Sequence, residues 1–139
     1  MFRKIITKVS LLTLIVSLTM IGTANATVTK LSDTATSRFT YISSLELGFD
    51  IRSDGEVIAN ADLEQYVGDN CKAVIKIQEY RGYWATISTD TETGTYDAIA
   101  GTSYQARKGY NYRAIAYGYV YVNGSLVESA VEYGPSEYY

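Results

Sequence analysis

The segment Asp90-Thr91-Glu92-Thr93-Gly94 sets carboxylates and hydroxyls side by side, the hard oxygen donors that a calcium ion takes. An EF-hand counted from Asp90 requires a glutamate at its twelfth position, where this chain has Gly101. Asp50, Asp54 and Glu56 surround the first turn and could hold calcium between loops, the plain alternative being a polar turn. No required ligand spacing is met, so no metal site is assigned. The chain contains no histidine, so nucleophilic triads lack their imidazole base. Ordinary zinc sites lack ligands for the same reason, since Cys71 is the single cysteine. The glycines stand singly at turns and form no phosphate loop. Paired carboxylates could hydrolyse a glycosidic bond, but here they alternate outward along expected strands. No catalytic residue and no cofactor are assigned, and the chain is read as not an enzyme. Cys71 fits a small buried apolar residue; the alternative is a free thiol that pairs with another chain.

The remaining candidate is a tyrosine ladder. In "AYGYVYVNGSLVESA", Tyr117, Tyr119 and Tyr121 recur at every second position before Asn123-Gly124, the signature of a two-residue type I′ turn. That turn sets Val122 opposite Ser125. Continued in register, it sets Gly118 opposite Ser129, Tyr119 opposite Glu128 and Ile115 opposite Glu132. Glu128 and Glu132 require water, so the face they share with the tyrosines is expected to point outward. Two readings stay open. The rings could form a platform for an extracellular glycan or protein, because tyrosine is enriched at interfaces. Alternatively, they stabilise the sheet through strand propensity and cross-strand contact alone.

These residues are positioned by strands. Leu45, Leu47, Phe49 and Ile51 alternate with Glu46, Gly48, Asp50 and Arg52, then Asp54-Gly55 turns the chain. Val57, Ala59, Ala61 and Leu63 alternate in the return strand. "CKAVIKIQEY", "RGYWATIST", "TYDAIAGTSYQA", "YNYRAIAYGYVYV" and "SLVESAVEY" complete about seven strands, with "DTETG" expected as a loop. The only proline, Pro135, falls beyond the seventh strand, where a missing N–H costs no ladder bond. The expected fold is an all-β antiparallel sandwich.

The chain opens with Arg3, Lys4 and Lys8, then an apolar run from Val9 to Ile21, then Ala24-Asn25-Ala26. This is the pattern of a cleaved signal peptide, with Ala24 and Ala26 as the small residues before the cut and Thr27 as the mature start. The apolar run is shorter than the roughly 20 residues a membrane span needs. The expected organisation is a signal peptide over 1–26, a flexible lead over 27–37, a β-sandwich over 38–134 and a C-terminal tail over 135–139. The mature chain is expected to be secreted and to carry no membrane span. Removing three of 12 cations leaves 9 against 15 carboxylates, a net charge of −6. Such acidity argues against nucleic acid as a partner.

"RFTYISSLELGFDI", "CKAVIKIQEYRGYWATI", "KGYNYRAIA" and "GSLVES" together resemble small exported proteins of Gram-positive, clostridia-like bacteria. "YNYRAIA" before a final hairpin is similar to the penultimate strand of immunoglobulin-like and fibronectin type III-like domains. There, a tyrosine near the strand start often bonds back to the preceding turn, a role open to Tyr110 or Tyr112. The resemblance implies export and a sandwich fold, and it carries over no site residue.

Overall fold

A computed structural model describes residues 39–139. The expected signal peptide, its residues Ala24 and Ala26, and the lead over 27–37 lie outside the described residues. The described chain runs through β1 (Ile42–Ile51), β2 (Glu56–Gln65), β3 (Asn70–Tyr80), β4 (Trp84–Gly94), β5 (Asp97–Gln105), β6 (Asn111–Val122), β7 (Ser125–Tyr133) and β8 (Glu137–Tyr138). Two antiparallel sheets result, one ordered β1-β2-β5 and the other β4-β3-β6-β7, with β8 pairing β6. The fold is an all-β sandwich.

Period-two alternation builds its core. Leu45, Leu47 and Phe49 from β1 and Val57, Ala59, Ala61 and Leu63 from β2 are buried. Cys71, Ala73, Ile75 and Ile77 of β3 and Ala114, Ala116 and Val120 of β6 meet them from the opposite sheet. Gly118 belongs to the same inward row, where a Cβ would come 2.7 Å from Leu63 Cδ1. The Cys71 thiol is fully buried and lies 3.5 Å from the Gly94 carbonyl.

Side chains bridge both seams between the sheets. At the first, Glu128 of β7 accepts the N–H groups of Thr40, Tyr41 and Ile42 at 2.9, 2.8 and 2.6 Å, covering the entry to edge strand β1. Burial pushes its carboxyl up, but the three N–H bonds outweigh that and lower its pKa. At the second, Asp90 Oδ2 accepts the Gly101 N–H at 2.9 Å, and the Ser88 and Thr102 hydroxyls lie 2.6 Å apart.

Three sequence expectations are corrected, the third at the C-terminus. "DTETG" is no loop: Asp90–Gly94 continue β4, pairing from Ile75↔Asp90 to Cys71↔Gly94. β4 is an edge strand, largely exposed along this stretch, so its polar residues show no apolar alternation. The second correction concerns β7. The pairs Val122↔Ser125 and Tyr121↔Leu126 follow the turn as expected, but a bulge then leaves Val127 without a partner, and Val120 pairs with Glu128. Beyond it every β7 side chain changes face. Glu128 and Glu132 therefore point to the inner side, and Glu132 is buried, contrary to the expectation that both stand in water.

The hairpin turn carries φ of 50° at Asn123 and 74° at Gly124, as type I′ geometry requires. Nothing lies within 4 Å of a Cβ placed on Gly124, so substitution there tests backbone strain alone. Gly124→Ala should lower stability by about 1 kcal/mol, the scale of left-handed strain in a residue with a Cβ. A chemical-denaturation midpoint equal to wild type would contradict it.

Residues 135–139, expected as a tail, supply β8. Its pairs are Asn111↔Tyr138 and Tyr112↔Glu137, and Gly109 donates to the Tyr139 carbonyl at 2.6 Å.

Candidate functional site: the outer face of the larger sheet

The three ladder tyrosines project from the outer face of the β4-β3-β6-β7 sheet, alternating with buried Ala116, Gly118 and Val120. All three are half-buried. They stand on this face although Glu128 and Glu132 do not, because the bulge lies in β7 and leaves the parity of β6 untouched. The bulge turns Val131 and Tyr133 outward beside them, with Val131 opposite Tyr117 and both β7 residues exposed.

On the other flank, β3 places Lys72 opposite Tyr119, Val74 opposite Tyr117 and Lys76 opposite Ile115. The Tyr117 and Tyr119 rings are 6.5 Å apart and nearly parallel, at 6°. Their spacing matches the two-residue rise of a strand, about 6.6 to 6.8 Å. The Lys72 ammonium lies 4.7 Å from the Tyr119 ring and 5.6 Å from that of Tyr121; Lys76 lies 5.1 Å from Tyr117. Such contacts stabilise by about 0.5–1 kcal/mol each at exposed sites. Arg113, in the same row as the tyrosines, sits 4.2 Å from the Trp84 ring and 5.6 Å from Tyr133, and donates to Gln78 at 2.9 Å. Tyr80 packs at 5.2 Å on Trp84. An open hollow of about 350 Å³ ends the face, lined by Asn70, Lys72, Thr93, Tyr121 and Gly124 among others.

No protein family, curated protein or solved structure matches this chain. The face must be read from its own chemistry. Its outward positions on β3, β4, β6 and β7 carry Lys72, Lys76 and Arg113 and no carboxylate, in a chain whose acids outnumber its cations. Burial pushes the Tyr117 phenol up, and Tyr133 and Tyr119 beside it add to the rise. The Tyr117 ring is therefore neutral near pH 7. The three rings offer faces and hydroxyls, while the cations supply the charge. That combination suits docking. It offers no acid–base pair.

A second polar cluster lies inside the opposite end of the same sheet. Glu79 is fully buried and receives Arg107 at 2.5 Å, Arg81 at 2.6 Å and the Tyr112 hydroxyl at 2.9 Å. Burial pushes its carboxyl up, but the two guanidiniums and the phenol outweigh that and hold it at about 2. The Tyr112 hydroxyl also accepts the Arg107 N–H at 2.8 Å, tying the start of β6 to the preceding turn. Of the two tyrosines open to that role, Tyr112 fills it. A carboxylate so fully paired is structural.

Asp54 and Glu56 are engaged locally. Asp54 accepts the Glu56 N–H at 3.1 Å, and Arg52 pairs with Glu56 at 2.5 Å. Among the described residues no three His, Cys, Asp or Glu side chains gather as a metal site.

Sequence reasoning found the tyrosines but not the cations between them. Lys72 and Lys76 escaped it because the pairing of β3 with β6 is non-local. Arg113 was accessible to it, sharing the odd-numbered row of Tyr117, Tyr119 and Tyr121.

Proposed function

We propose that this chain is a secreted, non-catalytic binding module that docks an extracellular glycan or protein through Tyr117, Tyr119, Tyr121 and the cations between them. The observation that carries this reading is the juxtaposition of the tyrosine ladder with Lys72, Lys76 and Arg113, and no carboxylate, on one sheet face. Export is supported by the amino-terminal pattern, and kinship with clostridia-like exported proteins by the strand and turn segments quoted above. An immunoglobulin-like or fibronectin type III-like classification is supported by the three-plus-four strand order and by the Tyr112 bond to the turn before β6. The absence of histidine supports a non-catalytic role.

A structural or accessory role without a small-molecule ligand is the second reading. The observation favouring it is that lysines already cover the ring faces. A Tyr117→Ala/Tyr119→Ala/Tyr121→Ala protein separates the two on a glycan and extracellular-protein array. Docking predicts that wild-type binding falls at least about tenfold, 1.4 kcal/mol, with the fold retained. Stability loss with no ligand to lose would establish the structural role.

A further inference from the structure

The sheet opposite the tyrosine face has the complementary charge. Outward positions of β1, β2 and β5 carry Glu46, Asp50, Glu56, Asp62, Glu64 and Asp97, of which Glu56 is paired with Arg52 just beyond β1. Two carboxylate pairs stand directly across from each other, Glu46↔Asp62 and Glu64↔Asp97. Like charges placed so destabilise a sheet. Burial raises the Asp62 pKa first, and Glu64, Glu46 and Asp97 raise it further. The sandwich is thus polarised across its thickness, cationic and aromatic on one side, anionic on the other.

We propose that the tyrosine face of one copy docks onto the outer face of the β1-β2-β5 sheet of a second copy, so that the protein assembles head to tail. This inference rests on the docking reading above and names its partner. Charge complementarity selects a second copy over the other occupants. A free polyanion would satisfy Lys72, Lys76 and Arg113 but leave Glu64 and Asp97 opposed. Two tyrosine faces meeting each other would bring three cations against three. Size is compatible as well. The smaller sheet limits the contact: three strands at about 4.8 Å spacing and about ten residues at 3.3 Å rise span roughly 14 by 33 Å in projection. That lies below the roughly 800 Å² per partner of a standard interface, in the range of weak, reversible contacts. Because the two docking faces differ and lie on opposite sides of the sandwich, each added copy presents one free face of each kind, and the assembly grows as a chain unless its rotation closes a ring.

Sedimentation velocity on the purified protein tests this with two neutralised variants, Lys72→Gln/Lys76→Gln and Asp62→Asn/Glu64→Gln. In low salt, wild type should form a concentration-dependent series of species that dissolves in molar salt, where screening reaches within about 3 Å. Each variant alone should be monomeric with an unchanged near-ultraviolet circular dichroism spectrum. Mixed, they should form a one-to-one pair and nothing larger, since each retains one working face. A wild type monomeric at every concentration overturns the proposal, as does assembly that survives either pair of substitutions. If wild type stays monomeric yet loses array binding with its tyrosines, the docking reading stands and self-assembly alone fails. If neither is seen, both fail.

Discussion

Glu79→Ala should lower the free energy of unfolding by about 3 kcal/mol, the largest loss expected from any one polar side chain here. The carboxylate is fully buried and accepts from two guanidiniums and a phenol. Removing it leaves a void under β3 and deprives the buried Tyr112 hydroxyl of its charged acceptor. The loss stays below that for a wholly buried ion pair because Arg81 and Arg107 are 44% and 52% exposed and regain water. The same pairing sets a pH dependence. Glu79 has a folded pKa of about 2, below its ordinary 4.5. A depressed carboxylate contributes stability above its unfolded pKa and loses it as pH falls through the folded one. Glu128 shifts in the same direction. Wild type should therefore weaken from about pH 5 down to pH 2, and Glu79→Gln should weaken less over that window. Urea midpoints measured across it decide the matter; parallel curves for wild type and variant would show that Glu79 is not paired as described.

Glu132 should behave in the opposite sense. Its carboxyl is buried at the β1–β7 seam, and Oε2 has no hydrogen-bond partner among the described residues. Burial raises its pKa, and Glu46 raises it further. A raised carboxyl opposes folding when ionised, so its cost is present at neutral pH and shrinks as pH falls through the folded pKa. Glu132→Leu should accordingly raise stability by about 2 kcal/mol at pH 7, by removing a poorly compensated charge and adding apolar burial. Glu132→Gln, which keeps the shape, should gain about 1 kcal/mol by removing the charge alone. Both gains should diminish toward acid pH. A lower thermal midpoint for both variants at pH 7 would mean that the carboxylate is satisfied and contributes to the seam.

Glu128 and Glu132 mark the boundary between what local pattern decides and what it does not. Alternation along β1, β2, β3 and β6 specified which side chains are buried, because the strand period is two and only one parity places Leu45, Leu47 and Leu63 together inside. The Asp54-Gly55 and Asn123-Gly124 turns were legible for a backbone reason: positive φ is cheap for glycine and tolerable for asparagine. The outward direction of Tyr117, Tyr119 and Tyr121 followed from the parity of β6 alone. Its justification from β7 did not survive. A bulge at Val127 shifts β7 by one residue, and nothing in "SLVESAVEY" signals it. What favours it is distant in sequence: three N–H groups at the entry to β1 that Glu128 can accept only from the shifted register. The placement of Lys72 and Lys76 over the tyrosine rings was likewise decided by the pairing of β3 with β6, and the opposition of Glu64 and Asp97 by that of β2 with β5. By itself the sequence determined strands, turns and the face each side chain takes within its own strand. Tertiary structure alone decided which strands not joined by a tight turn are neighbours, β2 with β5 and β3 with β6, and so which distant charges meet. Cross-strand contacts join residues far apart in the chain, whereas strand periodicity is a property of adjacent ones.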